Sequence, residues 1–399
     1  MTAAKKLLHD IVIAFVGIIS KFLPDKVPVT FIGPQALTEL TESIAHAGPD
    51  KVLIVTDGVL VEIGLIDRVT EALHAAGLGW SIYSGVEPDP TLDQVEAGYE
   101  QLKRDGCQAV LAVGGGSPMD AAKLIAAMAT NPGPLSKLEG PMKVKRAPMP
   151  LFAVPTTAGT GSEVTIVAVV SDPQTHTKKF FMDAKLLPIM TALDPSLMTG
   201  LPAPITAATG MDALTHAVES YLSRTATPTT QQYATTSVRL VFDHLPAACA
   251  DGGNLGARKA MSLASYYGGL AFTRTSVGYV HAIAHTFGAF YRTPHGLANA
   301  IALPHVLEFS KPQAEDRLAR LAELIGCEGA SDRDKADKFI AAVRGLMSKI
   351  DIPDKLDVLE EKDISAIAAQ AVGEAHLNYP VPRYMNQVEC EALLRRMIA

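Results

Sequence analysis

The chain has only four cysteines in 399 residues, Cys107, Cys249, Cys327 and Cys390, and none forms a Cys-x-x-Cys pair. That scarcity excludes a disulfide framework and a cysteine-based zinc site, and it points to buried thiols in a reducing compartment. Blocks of basic residues and basic-aromatic stripes are also missing. The net charge is −7 and the pI about 5.9, which argues against nucleic acid as a partner. No apolar run reaches the ~20 residues that cross a bilayer. No Gly-x-Gly-x-x-Gly is present, so an ordinary Rossmann dehydrogenase is not written here. His281 is followed by Ala282, not Glu, which excludes a His-Glu-x-x-His metalloprotease. Internal repeats and low-complexity tracts are absent too.

What is present is the composition of an ordinary globular protein, 48% hydrophobic and 19% charged. The length exceeds a typical single core, so two domains are expected. Residues 1–27 stand apart. Lys5 and Lys6 precede an uncharged run from Ile11 to Ile19, and Leu7, Leu8, Ile11, Phe15, Ile18, Ile19 and Phe22 form one helical stripe that Pro24 would stop. Three readings stay open: a helix packed on the body or on a second subunit, an interfacial membrane anchor through residues 5–23, and a cleaved signal. Asp10 and the lack of a small-residue cleavage site count against the last.

From residue 28 to 204 strands and helices alternate. Val52–Thr56, Trp80–Tyr83, Ala109–Val113, Phe152–Val154 and Thr165–Val170 read as strands. Leu65–Ala76, Leu92–Arg104 and Pro118–Ala129 read as helices. Alternation of this kind predicts a parallel sheet covered on both faces. From 205 to 399 the patterns are almost all helical, at about 205–223, 230–248, 255–271, 277–290, 313–324, 332–350 and 363–374.

Two glycine-rich turns follow strands in the first half. Val113-Gly114-Gly115-Gly116-Ser117-Pro118-Met119-Asp120 runs from strand to helix, with Ser117 expected as N-cap, Pro118 at the first helical position and Asp120 completing a capping box. Bare glycine backbone and a helix N-terminus favour a phosphate. The plain alternative is a tight, well-capped turn, and the strand–turn–helix context favours phosphate. Thr156-Thr157-Ala158-Gly159-Thr160-Gly161-Ser162-Glu163 is the second turn. Asp57 ends the first strong strand, where an acid can bind ribose hydroxyls and repel a 2′-phosphate, or simply cap a turn.

In the second half Asp212 and His216 are four residues apart, as are His281 and His285, so each pair shares a helix face. With His295, in Thr293-Pro294-His295-Gly296, Asp212, His216 and His281 make a set of one carboxylate and three imidazoles. Such a set suits a borderline divalent metal, Fe or Zn. Isolated pairs of this spacing are often surface or satisfied core residues. His9, His46, His74, His176 and His244 fit no pattern and read as structural or exposed.

Taken together, Gly114–Asp120, Thr156–Glu163, Ala208–His216, His281–His285 and Thr293–Gly296 resemble the iron-dependent, or group III, alcohol dehydrogenases over about residues 28–399. The resemblance implies an N-terminal α/β dinucleotide-binding domain (28–204) and an all-α C-terminal metal-binding domain (205–399), a dehydroquinate synthase-like architecture. It implies Asp212, His216, His281 and His295 as metal ligands and His285 as proton carrier. Gly114, Gly115, Gly116, Ser117 and Asp120 would hold the pyrophosphate, and Thr156, Thr157, Thr160 and Lys179 would contact the cofactor. Asp57 falls where members that prefer NAD over NADP carry an Asp. Fe(II) is the implied metal, with Zn acceptable to the same ligands.

The implied activity is hydride transfer between nicotinamide and a primary alcohol or aldehyde held at the metal. A homodimer or larger homo-oligomer is implied, and a cytoplasmic or membrane-peripheral location is expected. The chain departs from the family pattern in places. Val381-Pro382-Arg383 replaces the usual Asn-Pro-Arg, and Val167 stands where small-diol reducers can carry Asn. With Phe272 beside the substrate site, a less polar pocket is expected. Two other classes fit the sequence less well. A lyase on the same scaffold would use Glu with two His and more basic residues, and a membrane-surface or filament-forming protein would not need an intact ligand set.

Overall fold

The computed structural model describes Asp10, Ile13, residues 26–173 and residues 177–399. The expected N-terminal helix and its membrane-contact reading fall outside these residues, except at Asp10 and Ile13. His9 and His176 lie outside them as well. The chain divides into two compact units, Lys26–Gly200 and Leu201–Ala399, the second including Asp10 and Ile13. No helix among the described residues is long and apolar enough to cross a membrane.

The first unit runs β1 (Val29–Ile32), α1 (Ala36–His46), β2 (Lys51–Asp57), α2 (Gly58–Glu62), α3 (Leu65–Ala75), β3 (Gly79–Val86), α4 (Leu92–Arg104), β4 (Ala109–Gly114), α5 (Gly116–Thr130), β5 (Gly140–Pro141), β6 (Leu151–Pro155), β7 (Val167–Asp172), β8 (Thr177–Met182) and β9 (Met190–Leu193). Six strands form one sheet in the order β1-β9-β6-β4-β2-β3, every neighbouring pair parallel. The uninterrupted apolar runs have a geometric cause. Successive side chains of a strand point to opposite faces, so a sheet covered on both sides needs apolar residues at every position. Leu53, Val55, Val110, Ala112 and Ala153 pack with Val95 and Leu102 of α4 and with the buried face of α5. Val52, Ile54, Leu111, Val113 and Val154 pack with Leu40 and Ile44 of α1 and Val69 and Leu73 of α3.

The expected strand at Thr165–Val170 exists as β7 but lies outside the parallel sheet. It pairs antiparallel with β8 in a separate sheet, β5-β8-β7. Its alternating burial fits that place, because only one face of it is covered.

The strand order positions the first unit's chemistry. After β2 the chain moves outward to β3 and then returns to place β4 on β2's other side. The connections leaving β2 and β4 therefore go to opposite faces of the sheet. Between the carboxyl ends of β2 and β4 lies a topological switch point, the usual ligand crevice of an open α/β sheet. Asp57 ends β2 and Gly114 ends β4.

The second unit is helical: α6 (Ala203–Leu222), α7 (Pro228–Ala250), α8 (Leu255–Thr275), α9 (Tyr279–Tyr291), α10 (His295–Ser310), α11 (Glu315–Leu324), α12 (Asp332–Lys349), α13 (Ile364–Asn378) and α14 (Gln387–Arg395). Close packing at its centre depends on glycine. A Cβ on Gly296 would sit 2.3 Å from the Ala208 carbonyl oxygen, so α10 can approach the α6 backbone only because the side chain is absent. Asp10 belongs to this unit, and its carboxylate accepts hydrogen bonds from Arg224 Nη1 at 2.6 Å and Tyr384 Oη at 2.8 Å.

Candidate metal centre and nucleotide turn

Helix α6 carries Asp212 and His216 one turn apart, and both are buried. His281 is the third residue of α9, with His285 one turn further on, and α10 opens on His295. Three helices thus converge their donor atoms. Single ligand atoms of Asp212, His216 and His281 all lie within 4.8 Å of one another. Asp212 Oδ1 is 3.9 Å from His281 Nε2 and 3.6 Å from His295 Nε2. The His216 and His281 rings stack at 4.6 Å, and Phe272 of α8 stacks on the other side of His216 at 4.2 Å.

The site is built to present lone pairs. Burial, with His216, His295 and His285 nearby, holds His281 well below the ordinary imidazole pKa, so it is neutral, the form that ligates metal. Asn299, one turn after His295 on α10, points its Nδ2 into the cluster. That nitrogen is 2.7 Å from Asp212 Oδ1, 3.1 Å from His295 Nε2 and 3.3 Å from His281 Nε2. Three acceptors converge on an amide that carries only two hydrogens, while Asn299 Oδ1 is buried without a hydrogen-bond partner. A surplus of inward-facing acceptors is the arrangement a cation balances, so the residues fit a divalent metal.

Behind the cluster lies Glu219, three residues after His216 on α6. Its Oε2 accepts from Gly278 N–H at 2.9 Å and contacts His281 Nδ1 at 2.6 Å, and its Oε1 accepts from Val280 N–H at 2.8 Å. Burial, with Asp212 adding to it, raises the Glu219 carboxyl, while the backbone N–H groups of Val280, Gly278 and His281 pull the other way and favour the ionised form. His285 has the same kind of support. Its Nδ1 is 2.7 Å from Glu374 Oε1, which also accepts from Tyr379 Oη at 2.5 Å. The His285 ring stacks on His295 at 5.4 Å. His305, further along α10, is buried and pushed down to about 4 by burial, with Arg344 and Arg396 adding to the effect.

In the first unit, the turns after β4 and β6 pack against each other. Gly114 has φ +148, and a Cβ there would meet Pro118 Cγ at 2.6 Å. Cβ atoms on Gly115 and Gly116 would lie 3.3 Å from Thr157 Oγ1 and 3.0 Å from Thr160 Cγ2. Thr156 N–H donates to the Gly114 carbonyl. The two loops therefore form one bare-backbone floor at the start of α5, where no side chain caps the helix.

The expected capping box is absent. Gly115 takes the cap position, Ser117 Oγ accepts from Asp89 N–H, and Asp120 turns inward. Asp120 Oδ1 accepts from Ser162 Oγ and Oδ2 from Val169 N–H, with Lys123 Nζ 3.9 Å away. Buried Lys123 donates to Ser162 Oγ, Thr165 Oγ1 and the Val167 carbonyl at 2.8, 2.7 and 2.8 Å. Both carboxylate oxygens of Asp120 are thus engaged, tying the second loop and β7 to α5. Asp57 caps α2, its Oδ1 accepting from Leu60 N–H. Lys179 Nζ lies 3.5 Å from Glu139.

Glu163 is fully buried beside this network, and burial pushes it up to about 7 from an ordinary 4.5. The folded chain then holds the proton more tightly than the unfolded one. That contribution to stability is complete below 4.5 and is lost as pH rises through 7. At 1.36 kcal/mol per pKa unit the change is about 3 kcal/mol. Glu163→Gln removes the titration, so its unfolding midpoint should lack the decline that wild type shows between pH 4.5 and 7. Parallel curves for the two chains would contradict this.

A parallel α/β unit with a phosphate-type turn at its switch point, and a helical unit with a buried Asp-His-His cluster, define a metal-dependent oxidoreductase. Residues 28–195 match the family model described as iron-containing alcohol dehydrogenase. Residues 206–398 match the C-terminal model of the Fe-containing alcohol dehydrogenase family. The chain is 41% identical over 366 residues to alcohol dehydrogenase 4 of Saccharomyces cerevisiae, covering 90% of this chain and 95% of the yeast protein. It is 37% identical over 354 residues to the NAD-dependent methanol dehydrogenase of Bacillus methanolicus, covering 88% and 92%. Among solved structures, a 1,3-propanediol oxidoreductase superposes with a TM-score of 0.90 at 40% identity, covering 93% of this chain and 98% of that one. The chain belongs to the iron-containing alcohol dehydrogenase family and is an alcohol dehydrogenase and aldehyde reductase.

Proposed function

We propose that the enzyme uses Fe(II), with Zn as the alternative metal, and NAD in preference to NADP, to interconvert primary alcohols and aldehydes of low polarity. The observation that carries this reading is the convergence of Asp212, His216 and His281 donor atoms within 4.8 Å of one another, with His295 Nε2 3.6 Å from Asp212 Oδ1. When bound, the metal supplies Lewis acidity toward the substrate oxygen and the nicotinamide exchanges the hydride. The protein's part is positioning and proton traffic. Asp212 and three neutral imidazoles supply one negative charge, leaving the site cationic with a divalent ion and so favourable to alkoxide over alcohol. His285 takes and returns the hydroxyl proton at Nε2, its Nδ1 being held by Glu374. Phe272 walls the site beside His216, and the expectation of a low-polarity pocket rests on it and on Val167.

On the nucleotide side, the NAD preference rests on Asp57. One of its oxygens caps α2, which leaves Oδ2 for a ribose hydroxyl. Asp57→Ser should raise the NADP-to-NAD ratio of kcat/KM by roughly tenfold or more, because the repulsion of a 2′-phosphate is removed. An unchanged ratio would overturn the role. The same reading takes the chain as a homo-oligomer, which sedimentation velocity tests.

The experiment for the substrate class is anaerobic NADH formation by metal-stripped protein reloaded with Fe(II) or Zn, on alcohols from ethanol to long-chain. Turnover that needs metal, with an optimum beyond ethanol, is expected. No turnover with any alcohol, and none with aldehydes plus NADH or NADPH, would sink the reading.

A further inference from the structure

We propose that Glu219 is a positioning residue that fixes the tautomer of His281 and so sets the metal affinity of the cluster. The inference rests on reading Asp212, His216 and His281 as a metal site, and it concerns a residue that is itself no ligand.

Glu219 lies on α6 with Asp212 and His216, whereas His281 lies on α9. The Glu219 carboxylate spans the gap. It takes the N–H groups of Gly278 and Val280, which belong to the first, otherwise unbonded turn of α9, and it contacts His281 Nδ1 from the same oxygen that binds Gly278. One buried acid thus holds the start of α9 against α6 and orients the ligand that α9 carries. The fit is close: a Cβ on Gly278 would lie 2.7 Å from Glu219 Oε1, so only glycine admits the carboxylate.

Two observations fix the proton on Nδ1. Oε2 already accepts from Gly278 N–H, which suits an acceptor facing Nδ1–H. On the far side of the ring, Asn299 Nδ2 faces His281 Nε2 at 3.3 Å; its two hydrogens are matched by the nearer Asp212 Oδ1 and His295 Nε2, and an Nε2–H pointed at that nitrogen would meet a donor with no acceptor to offer. Nδ1–H toward Glu219 and a bare Nε2 toward Asp212 satisfy both neighbours. The opposite tautomer would set Nε2–H against the Asn299 amide and close Nε2 to a metal.

The substitution Glu219→Gln separates this role from mere packing. Each carboxylate oxygen faces a backbone N–H that cannot move its proton, Gly278 at Oε2 and Val280 at Oε1, so the amide NH2 must displace one of them. With the NH2 at Oε2 it also meets His281 Nδ1 and drives the proton to Nε2; with the NH2 at Oε1 a neutral carbonyl replaces the carboxylate that held Nδ1–H. In both orientations the preference for Nδ1–H weakens. Metal affinity should fall by about 10–100-fold, with the His281 15N shifts of the metal-free variant moving toward the Nε2–H pattern.

The test uses the full-length chain, Zn(II) with a competing fluorescent chelator, and 15N-histidine spectra. Wild type that binds Zn(II) and shows Nδ1–H at His281, with the variant weaker and switched, supports the proposal. A variant that binds Zn(II) like wild type, or binds it weakly with the tautomer unchanged, overturns it. If the variant fails to fold, the wild-type spectrum still decides, because Nε2–H in the metal-free protein is incompatible with the proposal. Wild type that binds no divalent metal would instead remove the metal reading itself.

Discussion

His281→Ala should give a folded chain that retains no metal after dialysis and loses at least about a thousandfold in alcohol turnover. The size follows from what the side chain does. His281 is buried and stacked on His216, and its Nε2 faces Asp212. Removing it deletes one of the three closest donors and leaves Glu219 without the imidazole it holds. A Lewis acid at the substrate oxygen is worth several kcal/mol of barrier, and each 1.36 kcal/mol is tenfold in rate, so ~4 kcal/mol corresponds to about a thousandfold. Metal analysis and circular dichroism check the two halves together. His305→Ala is the control: this imidazole is also buried on α10 but has no part in the cluster, so metal content should match wild type. Retained metal in His281→Ala would contradict the ligand assignment.

The second large effect is expected at a residue with no side chain. Gly296→Ala would place a Cβ 2.3 Å from the Ala208 backbone oxygen, closer than any real contact, and a backbone carbonyl in mid-helix cannot rotate away. The start of α10 must therefore withdraw from α6. That move costs about 1–3 kcal/mol of stability as overpacking. It also widens the 3.6 Å separation of His295 Nε2 and Asp212 Oδ1. Metal affinity should drop by about tenfold, in line with disturbed support around a ligand. Thermal unfolding and chelator competition measure the two terms. An unchanged melting temperature and affinity would mean that α6 and α10 are not packed this closely.

Much of the fold was legible because local patterns agreed with it. Leu92–Arg104 is amphipathic and begins after a Thr91 cap, and its helix has the expected bounds. The buried strands read as apolar runs because both faces of the sheet are covered. Helix α10 was missed for the converse reason. Pro294, Gly296 and Pro304 punctuate it, and Ala298–Leu307 is buried all round, so no amphipathic stripe marks its period. Asp212 with His216 and His281 with His285 could be picked out because each pair repeats a helix turn, and His295 because Thr293-Pro294-His295-Gly296 completes the family pattern. Their supports could not. Glu219 meets His281 across 62 residues and Glu374 meets His285 across 89, distances over which sequence carries no periodic signal. Asn299 lies one turn after His295, but its segment shows no amphipathic stripe to mark it as helix. The capping box failed because Asp120 satisfies Ser162 and Val169 N–H inside the domain, a tertiary demand that outweighs the local cap.

The most direct measurement is an anaerobic titration of metal-free protein with Fe(II), following NADH formation from a fixed excess of primary alcohol and NAD. The rate should rise linearly and break at one Fe(II) per chain, as one Asp-His cluster in each helical unit requires. A rate that is present without metal, or that stays flat through several equivalents, would contradict a metal-centred alcohol dehydrogenase.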